Sequence, residues 1–261
     1  MSSVLETVDV FTSYDASPVL QLGFAFSIYT ALIWYGLDYV RSRPVIEAAA
    51  RASALRLRPA VMAATAIIGV TVASGAFVAG NDAGHAYNDW PFFAGRLVPE
   101  QIWEPQLGAR NFTENTATVQ FDHRMLAYTT IAAVGGIHMA AARAGGLRAM
   151  PPRVAAGAKL LGVLVACQAT LGIATLMLYV PTWLGAAHQA GALALLTGAI
   201  SLAHSVHVAT RASTAVSAAP AARSAVAAGV LFMSVRSSSS DANIDADETQ
   251  RSPLHRVCGR D

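Results

Sequence analysis

Charge is scarce in this sequence. Only 13% of its 261 residues are Asp, Glu, Lys or Arg, against about 25% in an ordinary soluble domain. With 54% of the residues hydrophobic and a mean hydropathy of +0.44, that shortage excludes a disordered chain and argues against a soluble enzyme. An excess of one sign is lacking as well. Eighteen basic groups face 16 acidic ones for a net +2, which is too balanced for a nucleic-acid binder. Lysine is nearly absent, with Lys159 the only one. Cysteine is limited to Cys167 and Cys258, which excludes a disulfide framework and a zinc cluster. Cys167 falls inside an apolar run, where a thiol usually packs.

What the chain has is long apolar runs. About 20 apolar residues span the hydrocarbon core of a bilayer, and five stretches qualify: 18–40, 59–80, 121–142, 157–180 and 183–207. A sixth run, Ala222 to Val235, is short and bounded by serines, and is read as no span. The connections sort by charge. Arg41, Arg43, Arg51, Arg56 and Arg58 lie between the first two spans, and Arg143, Arg148 and Arg153 between the third and fourth. The long segment between the second and third spans holds Asp82, Asp89, Glu100, Glu104 and Glu114 against Arg96 and Arg110. Arginine-rich connections face the inner side, so the 81–119 segment and the Pro181-Thr182-Trp183 turn face the outer side. The first 16 residues carry Glu6, Asp9 and Asp15 and no basic residue, unlike a secretory or mitochondrial leader. Targeting is therefore expected to be internal, or the start of the protein to lie upstream. From Arg236 the chain turns polar through four serines, and a solvated tail carrying His255 and Cys258 is expected.

Ionisable groups within a span are functional candidates. Gln120-Phe121-Asp122-His123-Arg124 opens the third span and Leu184-Gly185-Ala186-Ala187-His188-Gln189 the fifth. Both spans start on the outer side. At about 1.5 Å per residue, His123 and His188 share a depth within about two turns of that start. Two neutral imidazoles facing one another across a bundle can hold haem iron on both axial positions. Each could instead hydrogen-bond a neighbouring helix. The small residues Gly185, Ala186, Ala187, Ala190 and Gly191 around His188 leave room for a flat macrocycle, or serve close packing. Arg124 is the cation a haem propionate would want at the membrane edge, or a snorkelling side chain. His138 lies about 22 Å further along its helix than His123 and cannot share that haem. A second pair, His138 with His204, can be drawn nearer the inner face, where snorkelling is the plainer account of His204 and His207.

The outer segment 81–119 is too long for a plain linker. It holds Trp90, Phe92, Phe93, Trp103 and Phe112. Either it lies over the outer mouth of the bundle as a lid, or its aromatics form an interfacial belt. Asn111-Phe112-Thr113 fits a glycosylation sequon, a weak signal.

Through these stretches the chain resembles the haem A synthase family of cytochrome oxidase assembly factors. The matching residues are Ser74-Gly75-Ala76-Phe77-Val78-Ala79-Gly80, Asp82-Ala83-Gly84 with Tyr87-Asn88 and Pro91, and Glu114-Asn115 with Thr118-Val119-Gln120-Phe121-Asp122-His123-Arg124. They continue through Leu171-Gly172-Ile173-Ala174-Thr175-Leu176, Tyr179-Val180-Pro181, His188-Gln189-Ala190-Gly191 and Leu193-Ala194-Leu195-Leu196-Thr197-Gly198-Ala199. The family is built of two similar four-helix halves. The second is thought to hold a b-type haem, and the first hosts haem O, whose methyl group is oxidised to the formyl group of haem A. Residues 59–207 resemble the second half, with His123 and His188 at its axial positions. Span 18–40 resembles the last helix of the first half, with Gln21 where that helix carries histidine. The family's catalytic carboxylate belongs to the half not seen here. Asp82 holds the related place in this half with no role assigned, so no catalytic residue is named.

The expected fold is an all-α membrane protein of about five transmembrane helices, four of them forming a haem-binding bundle. The expected parts are 1–58 (acidic start, one span, basic inner loop), 59–207 (haem-binding half) and 208–261 (polar tail). The resemblance implies a haem A synthase of the mitochondrial inner membrane, or less readily a bacterial plasma membrane. His123, His188 and Arg124 would bind a b-type haem and its iron, and haem O would be the substrate. Membrane lipid, an electron donor and a second copy or separate first-half chain would be partners. The other readings are a non-catalytic bis-histidine b-type cytochrome or haem carrier left by truncation, and a bundle that binds nothing.

Overall fold

The structure is a computed structural model that describes residues 17–42 and 44–213. The readings made on residues 1–16, on Arg43, on Arg223 and the 222–235 run, and on the tail with His255 and Cys258 lie outside the described residues. Five long helices carry the chain: α1 (Ser17–Val40), α2 (Ala48–Gly80), α3 (Thr116–Arg143), α4 (Pro152–Met177) and α5 (Thr182–Arg211). Helices α2 to α5 are each long and apolar enough to cross a membrane. The 24 residues of α1 would reach about 36 Å. Among the described residues there is no strand, and Phe93 and Arg96 form an isolated bridge.

The helix boundaries have local causes. Asn115 caps α3, its side-chain oxygen accepting from the N–H of Ala117 at 2.9 Å and of Thr118 at 3.3 Å. Pro152 is the first residue of α4 and Pro181 stands just before α5, where a missing N–H costs nothing. Tyr179 and Val180 take φ of 61° and 52° in the turn between them. That conformation is strained for a β-branched residue, and the Val180 N–H closes the turn onto the Thr175 carbonyl at 2.8 Å. Helix α2 begins eleven residues before the apolar run suggests, and Pro59 lies inside it. Apolarity marks the part of a helix in lipid, not the whole helix. Its first turns bury Ser53, Ala54 and Leu57 on one face, and the Ser53 hydroxyl donates to the Ala144 carbonyl at 3.2 Å.

Helices α2, α3, α4 and α5 pack in a ring in chain order, with α3 diagonal to α5, and α1 lies outside the ring, mainly against α5. Helix α5 is the axis of the assembly. More than half (56%) of its apolar window is buried, against at most 22% in α2, α3 and α4. Between helices in lipid, close packing and polar contacts must supply the attraction. Gly157 lies against Leu202 and Gly198 against Leu164, which brings α4 and α5 together. Helix α1 is held to α5 by polar contacts: Tyr29 to Thr197 at 2.6 Å, and Arg41 to Ser201 Oγ at 2.8 Å and Ser205 Oγ at 2.9 Å.

The tight core occupies the arginine-rich half of the bundle, around Leu57, Val61 and Ile68 of α2, Ile137 of α3, Leu161 of α4 and Ile200 of α5. Toward the other end the packing changes. No residue of α2 is fully buried beyond Ile68, none of α4 between Val165 and Thr175, and none of α5 between Leu184 and Leu195.

Candidate haem site

That loosely filled layer is where His123 and His188 sit. His123 is seven residues into α3 and His188 six into α5, so they lie about 10 and 9 Å below the helix starts. The imidazoles come from diagonal helices of the ring, α3 and α5. Both are partly buried.

Each ring is seated against a glycine of the neighbouring helix. A Cβ on Gly75 of α2 would stand 3.2 Å from Cε1 of His123, and one on Gly172 of α4 would stand 2.8 Å from Cε1 of His188. The same arrangement thus occurs twice, once in the α2–α3 pair and once in the α4–α5 pair. Each Nδ1 also has a partner, and the two partners differ in kind. Ser74 Oγ donates its single proton to the Thr71 carbonyl at 2.8 Å. The same oxygen lies 2.7 Å from Nδ1 of His123 and can accept from Nδ1–H. In that tautomer Nε2 of His123 keeps the lone pair that a metal ligand needs. The amide nitrogen of Gln168 donates to the His188 carbonyl at 2.9 Å and faces its Nδ1 at 3.1 Å. An amide nitrogen only donates, so Nδ1 of His188 is the acceptor and Nε2 carries the proton. Ligation through Nε2 would require the Gln168 amide to turn its oxygen to Nδ1. That oxygen is buried without a partner and lies directly against Gly191.

A haem therefore fits the donor set on two counts. One imidazole can present Nε2 as it stands, the other only if the Gln168 amide turns and gives up its bond to the His188 carbonyl, and each ring has a cradle that a methyl group would fill. Among the described residues no group of three or more His, Cys, Asp or Glu side chains could hold a metal ion alone. A pair of axial ligands does not need such a group.

Arg124 is more committed than a free propionate partner. It donates to the Phe92 carbonyl at 2.8 Å and to the Tyr87 carbonyl at 3.0 Å, and its guanidinium lies 4.0 Å over the Phe93 ring. Its Nε is buried without a partner. These bonds hold the outer segment across the mouth of the bundle. Gln120 adds a bond to the Tyr87 carbonyl at 3.0 Å, and Asn88 reaches the Leu176 carbonyl of α4 at 3.0 Å. The hydroxyl of Thr118 donates to the Ile102 carbonyl. Of the aromatics, Phe93 is buried between Tyr87 and Phe121, while Trp90, Phe92, Trp103 and Phe112 are exposed. The segment is thus a lid with an aromatic rim. Asn111 of the apparent sequon is fully buried, and its amide donates to the Glu104 and Gly108 carbonyls, both at 2.8 Å. Asp82 takes φ of 49° in the turn leaving α2, a conformation Asp tolerates.

The structure does not bring His138 and His204 together as a second pair. His138 lies against Gly162 of α4. His204 is fully buried, its Nε2 3.1 Å from Asp38 Oδ1 on α1, and Trp34 of α1 packs edge-on against both His204 and His207. The α1–α5 contact accounts for these two residues, in place of snorkelling. Ser74, Gly75, Gln168 and Gly172 are the site residues that reasoning along the chain does not single out. Three of them stand within the stretches that carry the resemblance, and Gln168 has no such signal.

Among known proteins, the model of a family described as cytochrome oxidase assembly protein, COX15-CtaA, matches residues 12–200. "Heme A synthase COX15" of Arabidopsis thaliana is 43% identical over 183 residues, which is 70% of this chain and 39% of that protein. "Heme A synthase" of Rhodospirillum centenum is 45% identical over 179 residues, 69% of this chain and 46% of that protein. The human "Heme A synthase COX15" is 38% identical over 181 residues, 69% of this chain and 43% of that protein. The chain thus spans less than half the length of these three relatives. No solved structure matches.

Proposed function

This chain belongs to the COX15-CtaA family of cytochrome oxidase assembly proteins, and from that membership we propose that it is the cofactor-holding half of a haem A synthase. The observation that carries the reading is the pair of histidines at one depth on diagonal helices, each with Nδ1 engaged and a glycine at its edge. His123 and His188 would hold the iron of a b-type haem. Ser74 accepts the Nδ1 proton of His123, which fixes its tautomer and raises its basicity as a ligand. Gln168 does the same for His188 after its amide turns. Arg124 ties the lid segment to α3 through the Tyr87 and Phe92 carbonyls and would lend its charge to a haem propionate. When bound, the haem supplies one-electron redox chemistry, and the protein supplies orientation and axial ligation. The haem-holding unit is the 59–207 stretch read from the sequence, carried on helices that extend to Ala48 and Arg211.

The substrate in this reading is haem O, oxidised at a methyl group to give haem A. Its site lies in a first-half chain or a second copy, with an electron donor as a further partner. The setting is the mitochondrial inner membrane. A second reading, a non-catalytic b-type cytochrome or haem carrier, rests on the same histidine pair.

One preparation tests both readings. The full chain, purified in detergent and supplied with haem, is expected to bind one haem with a low-spin bis-histidine spectrum. His123→Ala and His188→Ala are each expected to abolish stoichiometric binding, and the full spectrum in both variants overturns the site. Supplying haem O and extracting the pigment separates the readings. Haem A formation supports the synthase, and one b-type haem with no haem A supports the carrier.

A further inference from the structure

The opposite, arginine-rich end of the bundle carries a second feature that the haem site does not use. A cavity of about 210 Å³ opens between the end of α1, the start of α4 and the end of α5. Arg41 and Arg153 both line it, and no carboxylate does. The two guanidinium groups are near enough to repel one another, and burial and the Arg153 charge both push the Arg41 pKa down. Neither is in an ion pair with a carboxylate among the described residues. Asp38, the acid carried on α1 nearby, is turned to His204. Arg41 is held by Ser201 and Ser205, so its charge is fixed at the cavity wall. Arg153 is exposed and donates to the Ser42 carbonyl at 3.2 Å. The rest of the wall is mostly apolar, with Ile46, Val154 and Val208 among its residues. A second cavity of about 410 Å³ shares Ile46, Pro151 and Pro152 with the first, and adds Arg148 together with Glu47.

Two guanidinium groups on one cavity wall, with no carboxylate lining it, make the cavity attractive to an anion. An apolar wall beside that charge fits a molecule with a charged head and a hydrocarbon body. Basic pockets between membrane helices at the positive end are suited to phosphate headgroups. We propose that this cavity is a binding site for the phosphate headgroup of an anionic phospholipid, with Arg41 and Arg153 as the phosphate ligands. The site is independent of the haem and does not rest on the reading of the haem site.

The test is binding to the full chain in detergent, followed by native mass spectrometry or intrinsic fluorescence. The probes are dioctanoyl phosphatidylglycerol, dioctanoyl phosphatidylcholine and inorganic phosphate. The anionic lipid is expected to bind at least about tenfold more tightly than the zwitterionic one. Arg153→Gln and Arg41→Gln should each weaken it about fivefold, and Arg153→Lys less. Arg41 also ties α1 to α5, so Arg153, which is exposed and bonds one carbonyl, is the decisive position. Arg96→Gln, in the lid at the other end, should leave binding unchanged. Equal binding of the two lipids, or equal loss from Arg96→Gln and Arg153→Gln, overturns the proposal. Inorganic phosphate binding as tightly as the anionic lipid makes this a free-phosphate site and overturns the lipid assignment.

Discussion

Substituting alanine at Gly172 is the sharpest probe of how the histidines are held. The added Cβ would stand 2.8 Å from Cε1 of His188, 3.4 Å from Nδ1 and 3.5 Å from Nε2. At Gly75 the nearest approach to His123 is 3.2 Å, with both ring nitrogens at 3.9 Å. Ordinary contact begins near 3.4 Å, so His188 must withdraw by roughly 0.6 Å and His123 by only roughly 0.2 Å. A ligand constellation tolerates about 0.5 Å, and the two positions fall on either side of that limit. Overpacking costs about 1–3 kcal/mol, and alanine recovers up to about 1 kcal/mol of helix propensity at either site. Gly172→Ala should therefore lose up to about 2 kcal/mol at the site, about 30-fold in haem affinity. Gly75→Ala should stay within about threefold of the parent. Gly135→Ala in α3 is the control, since nothing lies within 4 Å of its Cβ. Absorbance titration of haem into the purified full chain reads all three. The reasoning fails if Gly172→Ala binds within threefold of the parent with an unchanged bis-histidine spectrum, or if Gly135→Ala loses as much.

Two further outcomes follow from the hydrogen bonds. Ser74→Ala removes the acceptor that sets the His123 tautomer, so haem affinity should fall about 10- to 100-fold, with Ser74→Thr restoring much of it; equal affinity of Ser74→Ala and the parent would refute the tautomer argument. Burial alone would raise the Asp89 pKa, but the N–H groups of Ala94 and Gly95, helped by the Arg124 charge, outweigh it and hold the carboxylate below its ordinary value. A carboxylate with a depressed pKa stabilises the folded lid fully above its unfolded value of about 3.9 and loses that contribution as pH falls through the lower folded value. Trp90 fluorescence followed during acidification should thus show a lid transition below about pH 4 that Asp89→Asn removes, and identical curves for the two proteins count against it.

Much of the site can be read along the chain because helix geometry is regular. A rise of about 1.5 Å per residue and two spans that start on one side are enough to bring His123 and His188 to one depth. Counting along a helix says nothing about azimuth, so it cannot tell which nitrogen faces inward or which residue of the next helix touches the ring. Ser74 and Gly75 lie almost fifty residues from His123 in sequence, and Gln168 and Gly172 reach His188 only because α4 and α5 fold back on one another. Arg124 shows the same limit: position suggests a propionate partner, but its bonds run to two carbonyls of a segment more than thirty residues upstream. Among the lid aromatics, composition cannot separate Phe93, which goes in, from its neighbour Phe92, which stays out.

By itself, the sequence determined the membrane class, the places of the five helices and their alternating direction. Those follow from hydropathy, charge asymmetry and a constant helical rise, all of them properties of one segment at a time. The tertiary structure alone decided the ring order of α2 to α5, the place of α1 on α5, the glycine seats, the different Nδ1 partners of the two histidines and the use of His204 as a partner for Asp38. Each of those depends on which face of one helix meets which face of another, and that is settled by close packing and by pairing polar groups where no water can serve instead.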